Sequence, residues 1–260
     1  MKHEAQTVWD DPVFAQAWND TYGIDMAKAP IRANLAFPLV AEAVGDFRGL
    51  NMADFGCGNG NLIRHFSCKP FNRFVGVDGG SAILATARTH TNDPRVAYRH
   101  QDLCKAFSFK ARVDAITSIF VIEEIPTPKL GAYFANIARN LKAGGKAILF
   151  TQHPAYAMVE AHKAEAEGRE NTKFKGHSGY FDTSPSTYAL QLLNQRDGLP
   201  LMADHHHKPL HTILNCATRA GLSLTNIQET PSGVGTIADL RAHTPKVADY
   251  PRFLFMVFRA

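Results

Sequence analysis

Ala-Asp-Phe-Gly-Cys-Gly-Asn-Gly, at residues 53–60, is the stretch that decides the fold of this chain. Three glycines stand at alternate positions (Gly56, Gly58 and Gly60), directly after a short apolar run and just before a segment with helical spacing. Glycine readily adopts a positive φ and leaves the main chain open to a ligand. The stretch therefore predicts a ligand-binding turn where a strand leads into a helix.

The spacing of the glycines separates two nucleotide-binding turns. A dinucleotide-binding turn has the pattern Gly-x-Gly-x-x-Gly, whose third glycine would fall on position 61. Position 61 is Asn61. The alternate pattern, with Asp54 two residues ahead of Gly56, therefore needs a different interpretation, which depends on the rest of the chain.

Residues 50–151 alternate between short apolar runs and segments with helical spacing. The predicted strands are 50–55, 73–78, 95–100, 113–120 and 146–151. The predicted helices between them are 61–68, 81–89 and 128–141, with Ser81 as an N-cap. Such alternation is typical of a parallel sheet with helices on both faces.

The flanks of this core have other patterns. Residues 10–48 have the spacing of one or two amphipathic helices, whereas residues 154–206 are rich in Gly, Ser, Thr, Pro and aromatic residues, which suits a lid. The alternation resumes with a helix at 209–220, a strand at 222–229 and a last apolar run at 253–258. The expected organisation is a helical cap (1–48), an α/β core (49–153), a lid insertion (154–206) and the C-terminal part of the core (207–260).

Composition excludes several classes of protein. With 260 residues, 45% of them apolar and 20% charged, the chain suits one large globular domain and not a disordered protein. No apolar run is long enough to span a bilayer, and the N-terminus leads into no signal segment. The four cysteines have no metal-ligand spacing, and the net charge of +4 is scattered. We expect a cytoplasmic protein that uses no metal and binds neither membrane nor nucleic acid.

Four predicted strand ends carry residues suited to a ligand. The glycine turn follows the first strand, Asp78 ends the second, Asp102 follows the third and Ile119 lies late in the fourth. Open α/β sheets bind ligands outside the carboxyl ends of their strands. These residues are therefore expected to share one site.

Over nearly its whole length the chain resembles the class I S-adenosylmethionine (SAM) dependent methyltransferases. The matching stretches are Ala-Asp-Phe-Gly-Cys-Gly-Asn-Gly, Val-Gly-Val-Asp78, His-Gln-Asp102-Leu, Val-Asp-Ala-Ile-Thr-Ser-Ile-Phe and Leu-Lys-Ala-Gly-Gly-Lys-Ala-Ile-Leu-Phe. The resemblance implies a Rossmann-like α/β fold with a seven-stranded mixed sheet. In that sheet the last strand, matched by residues 253–258, is antiparallel and lies between the fifth and sixth strands.

The resemblance also implies how SAM would be held. An acidic residue at Asp78 accepts the ribose hydroxyls, Asp102 and the Leu103 N–H bind adenine, and the backbone at Ile119 faces the methionine part. An N-terminal Arg or Tyr often holds the SAM carboxylate. The cofactor-binding residues so predicted are Asp54, Gly56, Gly58, Gly60, Asp78, Gly79, Asp102, Leu103, Ile119, Tyr22 and Arg32.

The flanking motifs are similar to those of the small-molecule branch, with two departures. After Asp78 this chain has Gly79-Gly80-Ser81, where the family usually has a polar residue and Ser. Where many relatives carry His after the fourth strand, it has Glu123-Glu124. Either glutamate could bind a cationic amine or take a proton from it. The predicted catalytic residues are these two, Glu123 and Glu124, together with His153 after the fifth strand. The predicted substrate and lid residues are Trp18, Tyr156, Tyr180, Phe181 and His207.

The predicted function is methyl transfer from SAM to an O, N or C nucleophile of a small molecule, by a monomer or homodimer. Three alternatives stay open. A lyase or cyclase of the same fold could cleave SAM to methylthioadenosine. A nucleic-acid methyltransferase would normally carry Asn/Asp-Pro-Pro-Tyr after the fourth strand, where this chain has Ser-Ile-Phe-Val. A non-catalytic SAM-binding protein is the third.

Overall fold

A seven-stranded mixed sheet organises the chain in this computed structural model, which describes residues 8–24, 26–156, 158–159, 167, 179–190, 201–243 and 250–260. The strands are β1 (Asn51–Phe55), β2 (Arg73–Asp78), β3 (Val96–His100), β4 (Val113–Ile119), β5 (Leu141–Gln152), β6 (Pro185–Leu190), β7 (Leu201–His206), β8 (Ser223–Pro231) and β9 (Pro251–Arg259). Seven of them form the main sheet, in the order β3-β2-β1-β4-β5-β9-β8. β6 and β7 form a separate antiparallel hairpin.

The direction of the strands confirms the predicted fold class. β1 to β5 are parallel to one another, whereas β9 is antiparallel to both β5 and β8. The last strand of the chain thus lies between the fifth and the sixth strands of the main sheet. This is the Rossmann-like arrangement predicted from the sequence.

Helices cover both faces of the sheet. They are α1 (Pro12–Tyr22), α2 (Phe37–Val44), α3 (Asn61–His65), α4 (Ser81–Thr89), α5 (Leu130–Asn140), α6 (Leu210–Arg219) and α7 (Ile237–Ala242). One apolar cluster lies between the sheet and α5 and α6, and the other between the sheet and α2, α3 and α4. In β9, Leu254 and Met256 enter the first cluster and Phe255 the second, because successive side chains of a strand point to opposite faces.

The N-terminal helices form as predicted, but the start of α4 differs from the prediction. Ser81 is the first residue of α4 and not its N-cap, which is Gly80. The Ser81 N–H and hydroxyl both donate to Asp10 Oδ1, each at 2.8 Å. A carboxylate that is distant in sequence therefore replaces the local side-chain cap, and sequence spacing could not reveal it.

The insertion contains more regular structure than predicted. The sequence pattern predicts a lid here and assigns no strands, and in the structure β6 and β7 pair over six residues each. The sequence pattern also predicts a helix over residues 155–169, most of which lie outside the described residues. Among the helices that the structure describes, none is long and apolar enough to cross a membrane.

Candidate cofactor and acceptor site

Two glycines of the turn are required by packing. Gly56 and Gly60 have φ of 75° and 80°, in the left-handed region that favours glycine. A Cβ at Gly56 would overlap the side chain of Val121, and one at Gly60 would overlap the Tyr98 hydroxyl. These two positions therefore have to be glycine whether or not a ligand binds.

Gly58, between them, faces open space. Its φ is 52°, and a Cβ there would meet nothing closer than Ile83 Cγ1 at 4.0 Å. The Gly58 N–H donates to Asp78 Oδ2 at 2.8 Å, and the Gly80 N–H donates to Asp78 Oδ1 at the same distance. The turn is thus shaped to let a ligand approach the main chain beside the Asp78 carboxylate, which fits a ribose-containing cofactor.

The predicted cofactor residues lie at one edge of the sheet. β3, β2, β1 and β4 are neighbours in that order, so their parallel carboxyl ends place Asp102, Asp78, the glycine turn and Ile119 side by side. Asp102 Oδ1 accepts from the Cys104 N–H at 2.7 Å, and the side chain of Leu103 is buried. This edge of the sheet therefore places the carboxylates of Asp102 and Asp78 near the apolar side chain of Leu103.

Two acidic residues at this edge are withdrawn from water, Asp54 being buried and Asp78 half-buried. Burial raises the pKa of Asp78, an effect that the N–H groups of Gly80 and Gly58 partly offset. Burial raises the pKa of Asp54 to about 7, and the Thr117 hydroxyl, which donates to Asp54 Oδ1 at 2.7 Å, lowers it in part. The charge of Asp78 raises the pKa of Asp54 further. Burial and mutual repulsion thus both disfavour the charged forms of these neighbouring carboxyl groups.

Asp54→Asn is expected to make the protein more stable above pH 7. The unfolded carboxyl titrates near 3.8 and the folded one near 7, so folded-state stability falls as pH rises through this window. From 3.8 to about 7, at about 1.4 kcal/mol per pKa unit, the loss is on the order of 4–5 kcal/mol. An amide keeps an acceptor for Thr117 without a charge. Urea unfolding at pH 5 and pH 8 should show a smaller difference for the variant, and equal differences would contradict the shifted pKa.

Arg32 is brought to the end of β4 by a π-helical turn, Arg32–Ala36, which leads into α2. Its guanidinium carbon lies 5.0 Å from the centre of the Phe120 ring and 5.6 Å from that of Trp18. Phe120 follows β4 directly and has a φ of 56°, a strained conformation for a non-glycine residue. The arrangement puts a cation between two aromatic rings beside Ile119. Tyr22, the other candidate for binding the SAM carboxylate, is the last residue of α1.

A small cavity of about 20 Å³ lies beyond the end of β4, large enough for about one water molecule. Its lining includes Glu123, Thr151, His153, His207 and Lys208. Glu123 Oε1 accepts from the backbone N–H of Gln152 at 2.6 Å. Within the described part of the chain, the buried Glu123 Oε2 has no hydrogen-bond partner. The cavity therefore offers a free carboxylate oxygen to a donor group.

Lys208 is the residue of this site that the sequence did not single out. Its side chain is only 3% exposed, and its ammonium donates to the carbonyl oxygen of His206. Burial lowers the pKa of Lys208 to about 7, while the charges of Glu123 and Glu124 raise it in part. A lysine between His207 and Pro209 gives no sequence signal for this, because only the packing of the insertion against the loop after β4 buries it.

His153 and His207 serve the structure around the cavity. His153 Nδ1 accepts from the Ala155 N–H at 3.1 Å, and its Nε2 lies 2.8 Å from Glu229 Oε1. Burial lowers the pKa of His153. His207 Nε2 donates to the carbonyl oxygen of Tyr180 at 2.7 Å. His153 Nδ1 and His207 Nε2 are thus engaged within the protein, and Glu123 and Lys208 stand beside His153 as candidates for proton transfer.

The aromatic lid candidates fall into two places: Tyr180 and Phe181 are in ring contact, with centres 5.2 Å apart, and Tyr156 contacts Tyr250. Tyr156 stacks on Tyr250, with ring centres 6.1 Å apart. The Tyr180 hydroxyl accepts from the Leu210 N–H at 2.8 Å, at the start of α6. Phe181 is 75% exposed. In this conformation, Tyr180 supports α6, and Phe181 faces away from the protein interior.

Comparison with known proteins matches both the sequence of the core and its fold. Residues 52–145 match the family described as methyltransferase domain. The chain is similar to a ubiquinone biosynthesis O-methyltransferase of Rhodopseudomonas palustris, 27% identical over 115 residues, which are 42% of this chain and 43% of that protein. The chain thus aligns with less than half the length of this curated relative.

Solved structures share the fold at lower identity. A SAM-dependent methyltransferase from Mesorhizobium loti has a TM-score of 0.61 at 20% identity and covers 88% of this chain and 100% of its own. A TehB-like SAM-dependent methyltransferase from Corynebacterium glutamicum has a TM-score of 0.61 at 19% identity. The match covers 96% of this chain and 99% of that protein. Residues 52–145 thus match a methyltransferase domain, and the chain has the fold of these SAM-dependent methyltransferases.

Proposed function

We propose that this chain transfers a methyl group from SAM to a hydroxyl oxygen of a small organic molecule. The observation that carries the proposal is the row of strand ends at which Asp102, Asp78, the glycine turn and Ile119 lie in that order. The curated relatives are named O-methyltransferases, which supports oxygen among the nucleophiles that the sequence left open.

The residues at the sheet edge fit SAM part by part. Asp78 would accept the ribose hydroxyls, because each of its oxygens keeps a lone pair beyond the one used by a backbone N–H. Asp102 and Leu103 would hold adenine. Arg32, between Phe120 and Trp18, would bind the carboxylate of the methionine part. The open space at Gly58 would admit the cofactor against the main chain.

The chemistry needs little covalent help from the protein. When bound, SAM supplies an electrophilic methyl group on its sulfonium. The Phe120 and Trp18 rings would exclude water, and orienting the acceptor can supply roughly 7–11 kcal/mol. Glu123 Oε2 would accept a hydrogen bond from the acceptor. Lys208 Nζ, with a pKa of about 7, would take the hydroxyl proton near neutral pH.

Incubation with SAM and a panel of acceptors tests this function. With catechols and other phenols we expect S-adenosylhomocysteine together with the methyl ether, and with primary amines and carboxylates no methylated product. Formation of methylthioadenosine would instead show that the protein cleaves SAM. Methylated amines would move the acceptor atom to nitrogen. Salt-dependent binding of RNA or DNA would favour a nucleic-acid substrate. Calorimetry without any SAM binding would overturn the proposal.

A further inference from the structure

The loop Asp78–Ser81 begins at the carboxylate that is proposed to bind ribose. It is held both by the α/β core and by the N-terminal region. Within the core, His100 Nε2 donates to the carbonyl oxygen of Gly79 at 2.8 Å. The far end of the loop is held by the N-terminal region, because Asp10 Oδ1 accepts both the N–H and the hydroxyl of Ser81. A carboxylate at the first turn of α4 is also favoured by the helix dipole.

Gly80 is explained by a contact with the same N-terminal segment. Its φ is −92°, which any residue can adopt. A Cβ at Gly80, however, would lie 2.5 Å from Trp9 Cβ and 2.7 Å from the Trp9 carbonyl oxygen. The backbone of Trp9 thus occupies the space that a side chain would need. This contact gives a physical reason for the departure from the family pattern after Asp78.

The N-terminal region is also attached on the other side of Asp78, at the glycine turn. Asn59 Nδ2 donates to Asn19 Oδ1 at 2.8 Å, and Asn61 Nδ2 donates to the carbonyl oxygen of Gly23 at 2.8 Å. The side chains of Asn59 and Asn61 are buried, so these bonds are shielded from water. Both loops that bond to Asp78 are therefore anchored on one N-terminal unit, residues 8–23.

We infer that Asp10 is a positioning residue for the cofactor site, and that with Trp9 it fixes the Asp78–Ser81 loop. The segment holds the Gly80 N–H against Asp78 Oδ1 and so sets the direction of the carboxylate. This inference rests on the proposed binding of SAM at Asp78, but not on the acceptor or on methyl transfer. Asp10 acts through the loop and has no role in the chemical step.

Gly80→Ala is the sharpest test, because it deletes no hydrogen-bonding group and requires no unusual φ, and the three atoms nearest to the added Cβ all belong to Trp9. Displacing the loop would weaken the bond from the Gly80 N–H to Asp78 Oδ1. We therefore expect S-adenosylhomocysteine to bind about tenfold more weakly in calorimetry, as for the loss of one hydrogen bond to a charged group. The KM for SAM should rise while kcat at saturating SAM stays nearly unchanged. Gly131→Ala in α5 is the matched control, since a Cβ there meets no atom within 4 Å.

Tryptophan emission reports directly on the displaced segment. Trp9 and Trp18 are the two tryptophans of the chain, and their ring centres lie 4.9 Å apart. Gly80→Ala should therefore change the emission of the ligand-free protein, whereas Gly131→Ala should not. Thermal melting should confirm that both variants are folded. An unchanged emission would show that Trp9 does not pack on Gly80, and would overturn the inference.

Asp10→Ala and Asp10→Asn separate positioning from a general loss of stability. Alanine removes the acceptor for Ser81 and should weaken binding about tenfold, whereas asparagine keeps an Oδ1 acceptor and should restore most of it. Wild-type affinity in Gly80→Ala and Asp10→Ala would overturn the inference and leave the proposed function intact. A wild-type protein that binds neither SAM nor S-adenosylhomocysteine would overturn both.

Discussion

Asp78→Asn is expected to lower the affinity for SAM at least about a hundredfold. Each hydrogen bond to a charged group contributes roughly 1.5–3 kcal/mol, and the carboxylate is proposed to accept two from ribose. An amide also turns one acceptor into a donor, which would oppose the N–H of Gly58 or Gly80. The substitution would therefore disturb both sides of the loop as well as the ligand.

Calorimetric titration with S-adenosylhomocysteine measures this loss without any acceptor. Asp46→Asn is the matched control, since Asp46 is an exposed carboxylate paired with Arg48, outside the proposed site. Its affinity for the ligand should equal that of the wild type. If Asp78→Asn kept wild-type affinity, the ribose would have to bind elsewhere, and the assignment of the whole sheet edge would fail.

Gly56→Ala is expected to destabilise the fold by roughly 2–5 kcal/mol, a large part of the stability of a domain. A left-handed conformation costs a non-glycine residue about 1–2 kcal/mol, and φ at Gly56 is 75°. The added methyl would overlap Val121 Cγ2, and overpacking of this kind costs roughly 1–3 kcal/mol. Because the turn carries the proposed cofactor site, SAM binding should be lost together with stability.

Urea unfolding can separate the two causes. Gly49→Ala has a similar φ of 71°, but its Cβ meets no atom within 4 Å, so it should lose only the conformational part. The double variant Gly56→Ala/Val121→Ala removes the overlap. It should therefore be more stable than the single variant Gly56→Ala. Equal losses for Gly56→Ala and Gly49→Ala would show that contact with Val121 does not constrain the turn.

Much of the fold could be predicted because its signals are local. β2 begins at Arg73 and ends at Asp78, as expected, since an apolar strand next to a polar turn defines its own boundary. α4 likewise spans Ser81–Thr89, as predicted. The antiparallel position of the last strand came from the resemblance to the family, because no local pattern encodes strand order.

The contacts of the N-terminal region, and the surroundings of the small cavity beyond β4, could not be predicted in the same way. Asp10 and Ser81 are 71 residues apart, and nothing in the spacing relates them. Lys208 is an ordinary lysine in the sequence, and its pKa of about 7 arises only from burial beside Glu123 and Glu124. Phe120 has no sequence signal for its positive φ either.

The sequence by itself determined the alternating α/β core and the row of candidate cofactor residues, because strand periodicity and the glycine turn act within a few residues, whereas the seven-stranded order came from the resemblance to the family. Tertiary structure alone decided how the Asp78–Ser81 loop is held and which groups meet at the small cavity beyond β4. Burial, pKa and long-range hydrogen bonds depend on what folds against a residue, so Asp10, Trp9 and Lys208 acquired their places only when the N-terminal region and the insertion packed against the core.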